Sequence, residues 1–419
     1  GLDGKLIHHM NEGHSALLTL GLVERAMEAL GQQEPDEETI EAVRQQCVFT
    51  THTPVPAGHD KFEWDLVTSI LGPERSQILL TLGCGHEGML NMTYLALRFS
   101  RYVNGVALRH GEISADMFPD YPIDSITNGA DVDMWTAQPF RDLYCRHIAE
   151  WQHDNQYLRY ALAIPLEEIQ EAHLQAKQAL LDEVKRRTGQ ELDLQALTIG
   201  FARRATEYKR ADLLFEDIER LKRIARKVGP LQILYAGKAH PRDEGGKRLI
   251  RTVSEAAKQL EGHVPVVYLE DYDIELARYL ISGVDVWLNT PLKPHEASGT
   301  SGMKCTFNGI PSLSVLDGWW VEGHIEGITG WAIGDRDSTS EPDQELADLY
   351  DKLQHTIMPL YYDTPDEYAR VMRYCIAFNG SFFNTQRMVS QYWKSAYHRV
   401  ITQVERDSCP TERPDTPPA

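Results

Sequence analysis

The stretch VDVWLNTPLKPHEASGTSGMKCTFNGIPSLSVL, residues 284–316, contains a strand, a helix and a second strand in close succession. Val284–Asn289 is a short apolar run that leads into a loop, which predicts a buried strand. The small residues Ser298–Gly302 then open a helix, and Ser312–Leu316 is another apolar run. Strands that alternate with helices in this way are typical of a parallel sheet with helices on both faces. The stretch therefore predicts an α/β fold.

Similar runs alternate with longer helical patterns along the rest of the chain. The apolar runs that predict strands are Cys47–Thr51, Leu197–Phe201, Leu231–Ala236 and Val264–Tyr268. The amphipathic stretches that predict helices are Ser15–Leu30, Leu166–Lys185, Leu213–Lys227, Lys247–Leu260 and Ile274–Ile281. The alternation is most regular between residues 194 and 316, which predicts one doubly wound domain there.

Three regions are expected along the chain. Residues 1–150 are rich in helix and loop and begin without a starting Met, which predicts the remainder of a first domain that has lost its N-terminal part. Residues 151–385 contain the doubly wound domain. Residues 386–419 predict a C-terminal helix, whose pattern extends over Asn384–Arg406, followed by a disordered Pro-rich tail.

Charge and cysteine usage narrow the class of protein. The 419 residues carry 42 Lys+Arg against 62 Asp+Glu, a formal net charge of −20, which argues against nucleic-acid or anionic-membrane binding by the whole chain. No apolar run approaches the roughly 18 residues of a membrane span. The six cysteines lie far apart without a C-x-x-C pair, which predicts reduced thiols in a cytoplasmic protein without a zinc site.

Two motifs rich in glycine or histidine are weak signals. Gly83–Gly88 fits G-x-G-x-x-G and precedes a helical pattern over Met89–Tyr102, but no convincing strand comes before it. A glycine loop before a helix is therefore favoured over a dinucleotide site. His9 and His14 are five residues apart, whereas helical metal ligands need i, i+4 placement, so a polar pocket wall is favoured over a metal site.

The segment GFARRATEYKR, residues 200–210, is a stronger signal. A predicted strand ends at Phe201, and four cations follow within ten residues: Arg203, Arg204, Lys209 and Arg210. Ligands of open α/β sheets bind at the carboxyl ends of the strands. Convergence of these cations on phosphate is therefore favoured over a solvated basic face.

Lys304 lies one turn into the helix that Ser298–Gly302 opens. Small residues at a helix N-terminus leave backbone N–H groups free to bind a phosphate. A partly desolvated lysine beside them is what a Schiff base with an aldehyde cofactor needs, because burial lowers the amine pKa. From these residues alone, a helix cap with an exposed lysine is an equally good interpretation.

EASGTSGMK, residues 296–304, resembles the pyridoxal-phosphate lysine motif of the α-glucan (glycogen, starch, maltodextrin) phosphorylases. Other stretches resemble this family in the same order: HMNEGH, THTPVPAGHDKF, NGVALRHGE, TNGADVDMW, GFARRATEYKR, AGKAHPRD, EDYDIELARYLISGVDVWLNTP and DGWWVEGH. The resemblance covers residues 7–335 and is closer to the short bacterial and archaeal branch. It implies two Rossmann-like domains of the GT-B type, the first incomplete, with the active site in the cleft between them.

The resemblance also implies roles for individual residues. Lys304 would hold pyridoxal 5′-phosphate as a Schiff base. The other residues implied to contact the cofactor are Arg203, Thr300, Ser301, Trp135 and Tyr272. The residues implied to hold the substrate phosphate are Arg204 and Lys209. Those implied to surround the glucosyl unit are His52, which is also in the implied catalytic set, with Asn128, Glu296, Ser298, Gly299 and Glu12.

The implied reaction is reversible phosphorolysis by a cytoplasmic enzyme. Orthophosphate would cleave the terminal α-1,4-linked glucose of a glucan and release α-D-glucose 1-phosphate with retention, with the cofactor phosphate as proton shuttle. The resemblance also implies a homodimer. The family's proteins are longer, and their animal motif GTGNMK reads GTSGMK here, so Ser301 and Gly302 replace a glycine and an asparagine.

Two alternative functions stay open. One is a nucleotide-sugar-dependent retaining glycosyltransferase of the same architecture. Such enzymes often place two glutamates eight positions apart, whereas Glu296 is followed at that distance by Lys304, which favours the cofactor enzyme. The other alternative is a non-catalytic glucan-binding relative, because part of the first domain is expected to be missing.

Overall fold

The described chain consists of three β-sheets and the helices that surround them. The computed structural model describes residues 6–335 and 342–398. The strands are β1 (His8–Asn11), β2 (Cys47–Thr50), β3 (Lys61–Glu63), β4 (Gly85–His86), β5 (Met89–Asn91), β6 (Tyr102–Gly105), β7 (Asp124–Ser125), β8 (Leu197–Ala202), β9 (Leu231–Ala236), β10 (Val266–Leu269), β11 (Val286–Asn289), β12 (Ser312–Val315) and β13 (Gly330–Ile333).

The α-helices are α1 (Leu18–Leu30), α2 (Glu37–Arg44), α3 (Trp64–Leu71), α4 (Pro73–Thr81), α5 (Met92–Arg98), α6 (Leu108–Met117), α7 (Val132–Trp135), α8 (Gln138–His147), α9 (Leu166–Thr188), α10 (Ile218–Lys227), α11 (Glu244–Leu260), α12 (Ile274–Gly283), α13 (Thr300–Thr306), α14 (Trp320–Gly323), α15 (Pro342–Lys352), α16 (Met358–Asp363), α17 (Pro365–Tyr374) and α18 (Thr385–Tyr392). Among the helices of the described residues, none has both the length and the apolar character that crossing a membrane requires.

The six-stranded sheet determines where ligands can bind. Its strands are all parallel and lie in the order β10-β9-β8-β11-β12-β13. Every residue of β8 and β9 is buried, because helices cover both faces of the sheet. This is the doubly wound order, in which strands are added on one side of β8 up to β10 and then on its other side from β11 onward. The predicted α/β class is confirmed, and the switch point lies between β8 and β11.

The residues before the six-stranded sheet contain more strand than the sequence indicates. A parallel sheet has the order β1-β2-β6-β7, and an antiparallel sheet has the order β3-β5-β4. The sequence predicts only one of these strands, because β1 reads as polar and β7 has two residues. The region is rich in helix and loop as predicted, and these short strands are an addition that the sequence did not indicate.

Two predicted helices differ from the structure by four or more residues at one end. The helix expected over Met89–Tyr102 is wrong at both ends, because β5 precedes α5 and Tyr102 begins β6. The Asn91 side chain starts α5 by accepting a hydrogen bond from the Thr93 amide at 3.0 Å. The Leu213–Lys227 helix begins only at Ile218, after a 3-10 turn, since the Asp217 carboxylate caps it there.

The glycine motif Gly83–Gly88 does not form a phosphate loop. It follows helix α4 and contributes β4, which pairs with β5 in an antiparallel hairpin. A dinucleotide site would need a strand before the motif, so the favoured interpretation as a loop of glycines is consistent with the structure.

The C-terminal helix packs on the first parallel sheet. Helix α18 follows Asn384 and continues as a π-helical turn to Tyr397. The helix was predicted over Asn384–Arg406, and residues 399–406 of that prediction lie outside the described residues. The Tyr392 side chain is buried against Val48. His9 Nδ1 lies 2.6 Å from the Tyr397 hydroxyl, so the His9 ring forms a hydrogen bond between the sheet and the C-terminal helix. The predicted tail lies outside the described residues.

Candidate active site

The candidate site lies at the switch point of the six-stranded sheet. Arg203 directly follows β8, and the loop after β11 leads through Glu296 to helix α13. Both segments leave the carboxyl edge of the sheet, where ligands of doubly wound folds bind. Together with a loop of the first parallel sheet they enclose a cavity of about 520 Å³.

Most residues that the sequence assigns to the site line this cavity. They are His52, Arg203, Arg204, Lys209, Glu296, Ser298, Gly299, Thr300, Ser301 and Lys304. The structure therefore brings together residues from three distant parts of the chain. Further lining residues that sequence reasoning missed include Tyr208, His295 and Val106.

Four assigned residues do not line the cavity itself. Trp135 lies under the Lys304 amine, and Glu12 lies behind His52, whose backbone amide donates to Oε2 of Glu12 at 2.8 Å. Tyr272 is partly buried, and burial raises the pKa of its hydroxyl to about 12. The Asn128 backbone bonds to the Val106 carbonyl at 3.0 Å.

Lys304 has the surroundings of a reactive amine. Its Nζ lies 4.0 Å from the centroid of the Trp135 ring. Within the described ranges, Nζ has no hydrogen-bond or ion-pair partner. Burial lowers the pKa of this amine, because desolvation disfavours the ammonium form. Burial and the absence of a carboxylate partner in the described chain favour a neutral, nucleophilic amine.

The tight approach of α13 to the neighbouring loop depends on Gly302. A Cβ at this position would lie 2.8 Å from the Trp319 ring, so a larger residue would push the helix away. Gly299, just before the helix, has φ +80°, a conformation that glycine adopts without strain. The two glycines of the S-G-T-S-G sequence are therefore explained by backbone conformation and close packing, independently of any ligand.

Lys209 and Arg204 supply positive charge to the cavity. Lys209 is only 8% exposed, and burial lowers its pKa to about 7, with the Arg203 charge acting in the same direction. Its Nζ lies 5.3 Å from the centroid of the Tyr208 ring. Arg204 is exposed to the cavity. In the part of the chain that the structure describes, neither side chain has a carboxylate partner.

Arg203 is already paired. Its buried guanidinium donates to the Glu296 carboxylate and to the Asn289 side-chain carbonyl. The pair orients Glu296 toward the cavity. In the structure, Arg203 thus contacts Glu296, and its implied contact with the cofactor phosphate stays a prediction.

Asp317 supports the site and was missed by sequence reasoning. One carboxylate oxygen accepts from the Glu296 amide and the other from the Gly318 amide, both at 2.9 Å. Burial raises the pKa of Asp317 to about 6. The signal in the sequence is its position just after β12, at the same edge of the sheet.

One buried polar atom is available to a ligand. The Ser298 residue is 6% exposed, and its Oγ has no hydrogen-bond partner among the described residues. A buried hydroxyl without a hydrogen-bond partner is uncommon, and a ligand that bonds to the Ser298 hydroxyl would explain it. On the opposite wall, burial lowers the pKa of His52, so its ring is neutral near pH 7.

A larger cavity of about 970 Å³ lies beyond Asp317. Asp317 lines this second cavity and also accepts a hydrogen bond from the Glu296 amide of the first. Its carboxylates are engaged, since Glu322 accepts two hydrogen bonds and Glu112 pairs with Arg109 at 2.8 Å. It also lacks a lysine placed like Lys304. The smaller cavity is therefore the better candidate for chemistry.

Comparison with known proteins bears out the resemblance of the motifs. A profile of the carbohydrate phosphorylase family matches residues 72–327. The chain belongs to this family. The matched range contains α13 and the loop after β8, so the cavity described above lies largely inside the family's shared region.

Individual relatives support the same conclusion. The maltodextrin phosphorylase of Thermococcus litoralis is 38% identical over 97% of this chain and 53% of that protein. The glycogen phosphorylase of Aquifex aeolicus is 37% identical over 88% of this chain and 59% of its own length. The glycogen phosphorylase of Mycobacterium tuberculosis is 34% identical over 93% of this chain and 51% of its own length. The chain thus spans about half the length of these curated relatives.

Proposed function

We propose that the chain acts in an α-1,4-glucan phosphorylase, which cleaves terminal glucose with orthophosphate and releases α-D-glucose 1-phosphate. The observation that carries the proposal is a set of two amines and one guanidinium at one cavity, Lys304, Lys209 and Arg204, which have no carboxylate partner among the described residues. Because the whole chain carries a net charge of −20, this local concentration of positive charge is specific to the site and does not reflect the overall composition. It suits two phosphate groups close together, which repel each other unless cations neutralise them.

The residues present fit pyridoxal 5′-phosphate. Lys304 offers an amine with a lowered pKa, and Trp135 offers an aromatic face beside it. Thr300 and Ser301 add hydroxyl and backbone N–H donors where α13 begins. In a phosphorylase the bound cofactor supplies a phosphate group that can give and take a proton next to the substrate phosphate.

The other side chains bind and orient the substrates. Arg204 and Lys209 hold the attacking phosphate, and their charges stabilise the separation of charge as the glycosidic bond breaks. Glu296 and the hydroxyl of Ser298 are placed to bind sugar hydroxyls, and Arg203 keeps the Glu296 carboxylate in one orientation. His52 and Val106 form the opposite wall and help to exclude water.

The proposed architecture is the GT-B type, with residues 1–150 as part of a first Rossmann-like domain, residues 151–385 as the second, and residues 386–419 as a C-terminal helix and tail. The position of the cavity between the two parallel sheets supports it. The five described cysteines are free thiols, which suits a reducing cytoplasm. The implied homodimer stays a prediction for measurement by analytical ultracentrifugation.

A labelling experiment tests the proposal. The full chain is incubated with pyridoxal phosphate, reduced with borohydride, and mapped by peptide mass. We expect the label on Lys304 and not on Lys293, a nearby lysine whose pKa is also lowered by burial. Lys304→Arg should abolish the label, and a label confined to other lysines would refute the cofactor assignment.

A turnover assay separates the proposal from its two alternatives. Release of glucose 1-phosphate from a maltooligosaccharide and phosphate supports the phosphorylase. Glucosyl transfer from a nucleotide sugar, without a label on Lys304, would support the glycosyltransferase. Glucan binding without either reaction would support the non-catalytic relative.

A further inference from the structure

Glu322 joins the two parallel sheets through hydrogen bonds. It lies on α14, which follows the fifth strand of the six-stranded sheet in chain order. Its Oε1 accepts from the Leu108 amide at 2.9 Å, and its Oε2 accepts from the Thr127 hydroxyl at 2.7 Å. Leu108 and Thr127 follow β6 and β7, so both donors lie at the carboxyl edge of the first sheet.

The segments that Glu322 holds are also tied to each other. The Asn128 amide donates to the Val106 carbonyl at 3.0 Å. Arg387 of α18 donates to the carbonyls of Thr127 and Asn128, at 2.6 and 2.9 Å. Residues 106–108 and 127–128 are therefore linked by hydrogen bonds into one group, and Val106 in that group lines the candidate active site.

We infer that Glu322 is a positioning residue for the glucan, because it holds the wall that carries Val106 against the cations of the six-stranded sheet. This inference rests on the proposed function. We call Glu322 with its two donors the Glu322 clamp. Arg204 and Lys209 lie on the other side of the cavity and do not depend on the clamp, so it should affect glucan binding and leave phosphate binding intact.

The clamp depends on two acceptor positions more than on charge. In Glu322→Gln the amide oxygen can still accept from the Leu108 amide, while the NH₂ group can donate to the Thr127 hydroxyl, which accepts as well as donates. Glu322→Ala leaves both donors without their partner. A buried hydroxyl such as that of Thr127, which is 5% exposed, is then costly to leave unpaired.

The first measurement is native-state hydrogen exchange, which needs no substrate. In Glu322→Ala we expect exchange of the Leu108 amide to accelerate by about tenfold or more, the effect of losing a hydrogen bond to a carboxylate. Glu322→Gln should keep most of the protection. Glu326→Ala is the matched control, because the partners of Glu326 are His324, Lys352 and the Ala332 amide, outside the first sheet.

The second measurement is steady-state kinetics. Glu322→Ala should raise KM for the glucan about tenfold, leave KM for phosphate unchanged and load cofactor at Lys304 as the parent protein does. Thr127→Val, which removes one donor, should shift the glucan KM in the same direction by less. Rescue by Gln distinguishes positioning from an electrostatic role, in which Gln and Ala would fail alike.

The outcomes are separable. Unchanged Leu108 exchange in Glu322→Ala would overturn the clamp, as would equal increases in both KM values. A parent protein that exchanges as expected but releases no glucose 1-phosphate would refute the proposed function, and the exchange data would still decide whether the clamp exists.

Discussion

Lys209 should make substrate-phosphate binding depend on pH. Burial brings its pKa from the ordinary 10.5 to about 7, so the ammonium form is present below pH 7 and is lost as the pH rises. At pH 8 about a tenth of the molecules keep this charge, and at pH 9 about a hundredth. If the phosphate group binds the charged form, KM should rise about tenfold per pH unit, which corresponds to about 1.4 kcal/mol.

The synthetic direction gives the clearest assay. The phosphate of glucose 1-phosphate has a second pKa near 6, as phosphate esters do, so the substrate is already a dianion over the range tested. Initial rates of phosphate release are measured from pH 7 to 9 at constant ionic strength, with a maltooligosaccharide in excess. Lys209→Met should give a KM for glucose 1-phosphate that is high and does not change with pH. Lys227→Met, on the exposed face of α10, is the matched control and should keep the parent slope.

Two results would contradict this reasoning. A parent KM that stays constant between pH 7 and 9 would show that the charge of Lys209 does not contribute to phosphate binding. An equally steep profile in Lys209→Met would assign the titration to another group.

Two further substitutions test the site and the fold. Arg204→Ala should lower turnover by about two to three orders of magnitude, the effect of removing a preorganised charge, with labelling of Lys304 unchanged; an unaffected turnover would refute the assignment. Lys177→Met should destabilise the fold by about 3–5 kcal/mol in urea unfolding, because it leaves the buried Asp285 carboxylate without the amine that donates to it at 2.6 Å. Adding Asp285→Asn should restore part of that loss, and an unchanged urea midpoint for Lys177→Met would contradict the argument.

The six-stranded sheet was largely predictable because its strands are buried on both faces. β9 has the predicted bounds, Leu231–Ala236, and α9 begins at the predicted Leu166, because continuous apolar runs and amphipathic periods are local properties. β1 was missed because three of its residues, HHMN, are polar and only Met10 is apolar, and it becomes a strand only by pairing with β2. Pairing between distant segments leaves little trace in local composition.

The same distinction applies to the candidate site. Arg203, Lys209 and Lys304 were found because they lie within short motifs that follow predicted strands. Asp317 and Glu322 were missed, since their roles follow from the order of the strands, which sequence patterning does not reveal. The resemblance supplied His52 and Trp135, which no local pattern would have placed beside Lys304.

The C-terminal helix has a consequence for how the protein is made. The hydrogen bonds from His9 to Tyr397 and from Thr50 to Tyr392 join residues 388 and 342 positions apart. During synthesis the sheet of β1, β2, β6 and β7 leaves the ribosome long before the segment that packs on it. Val48 and Ile126 stay exposed on that face until Tyr392 arrives, and such uncovered apolar surface favours aggregation. The sheet that carries Val48 is thus completed by a segment that is translated much later.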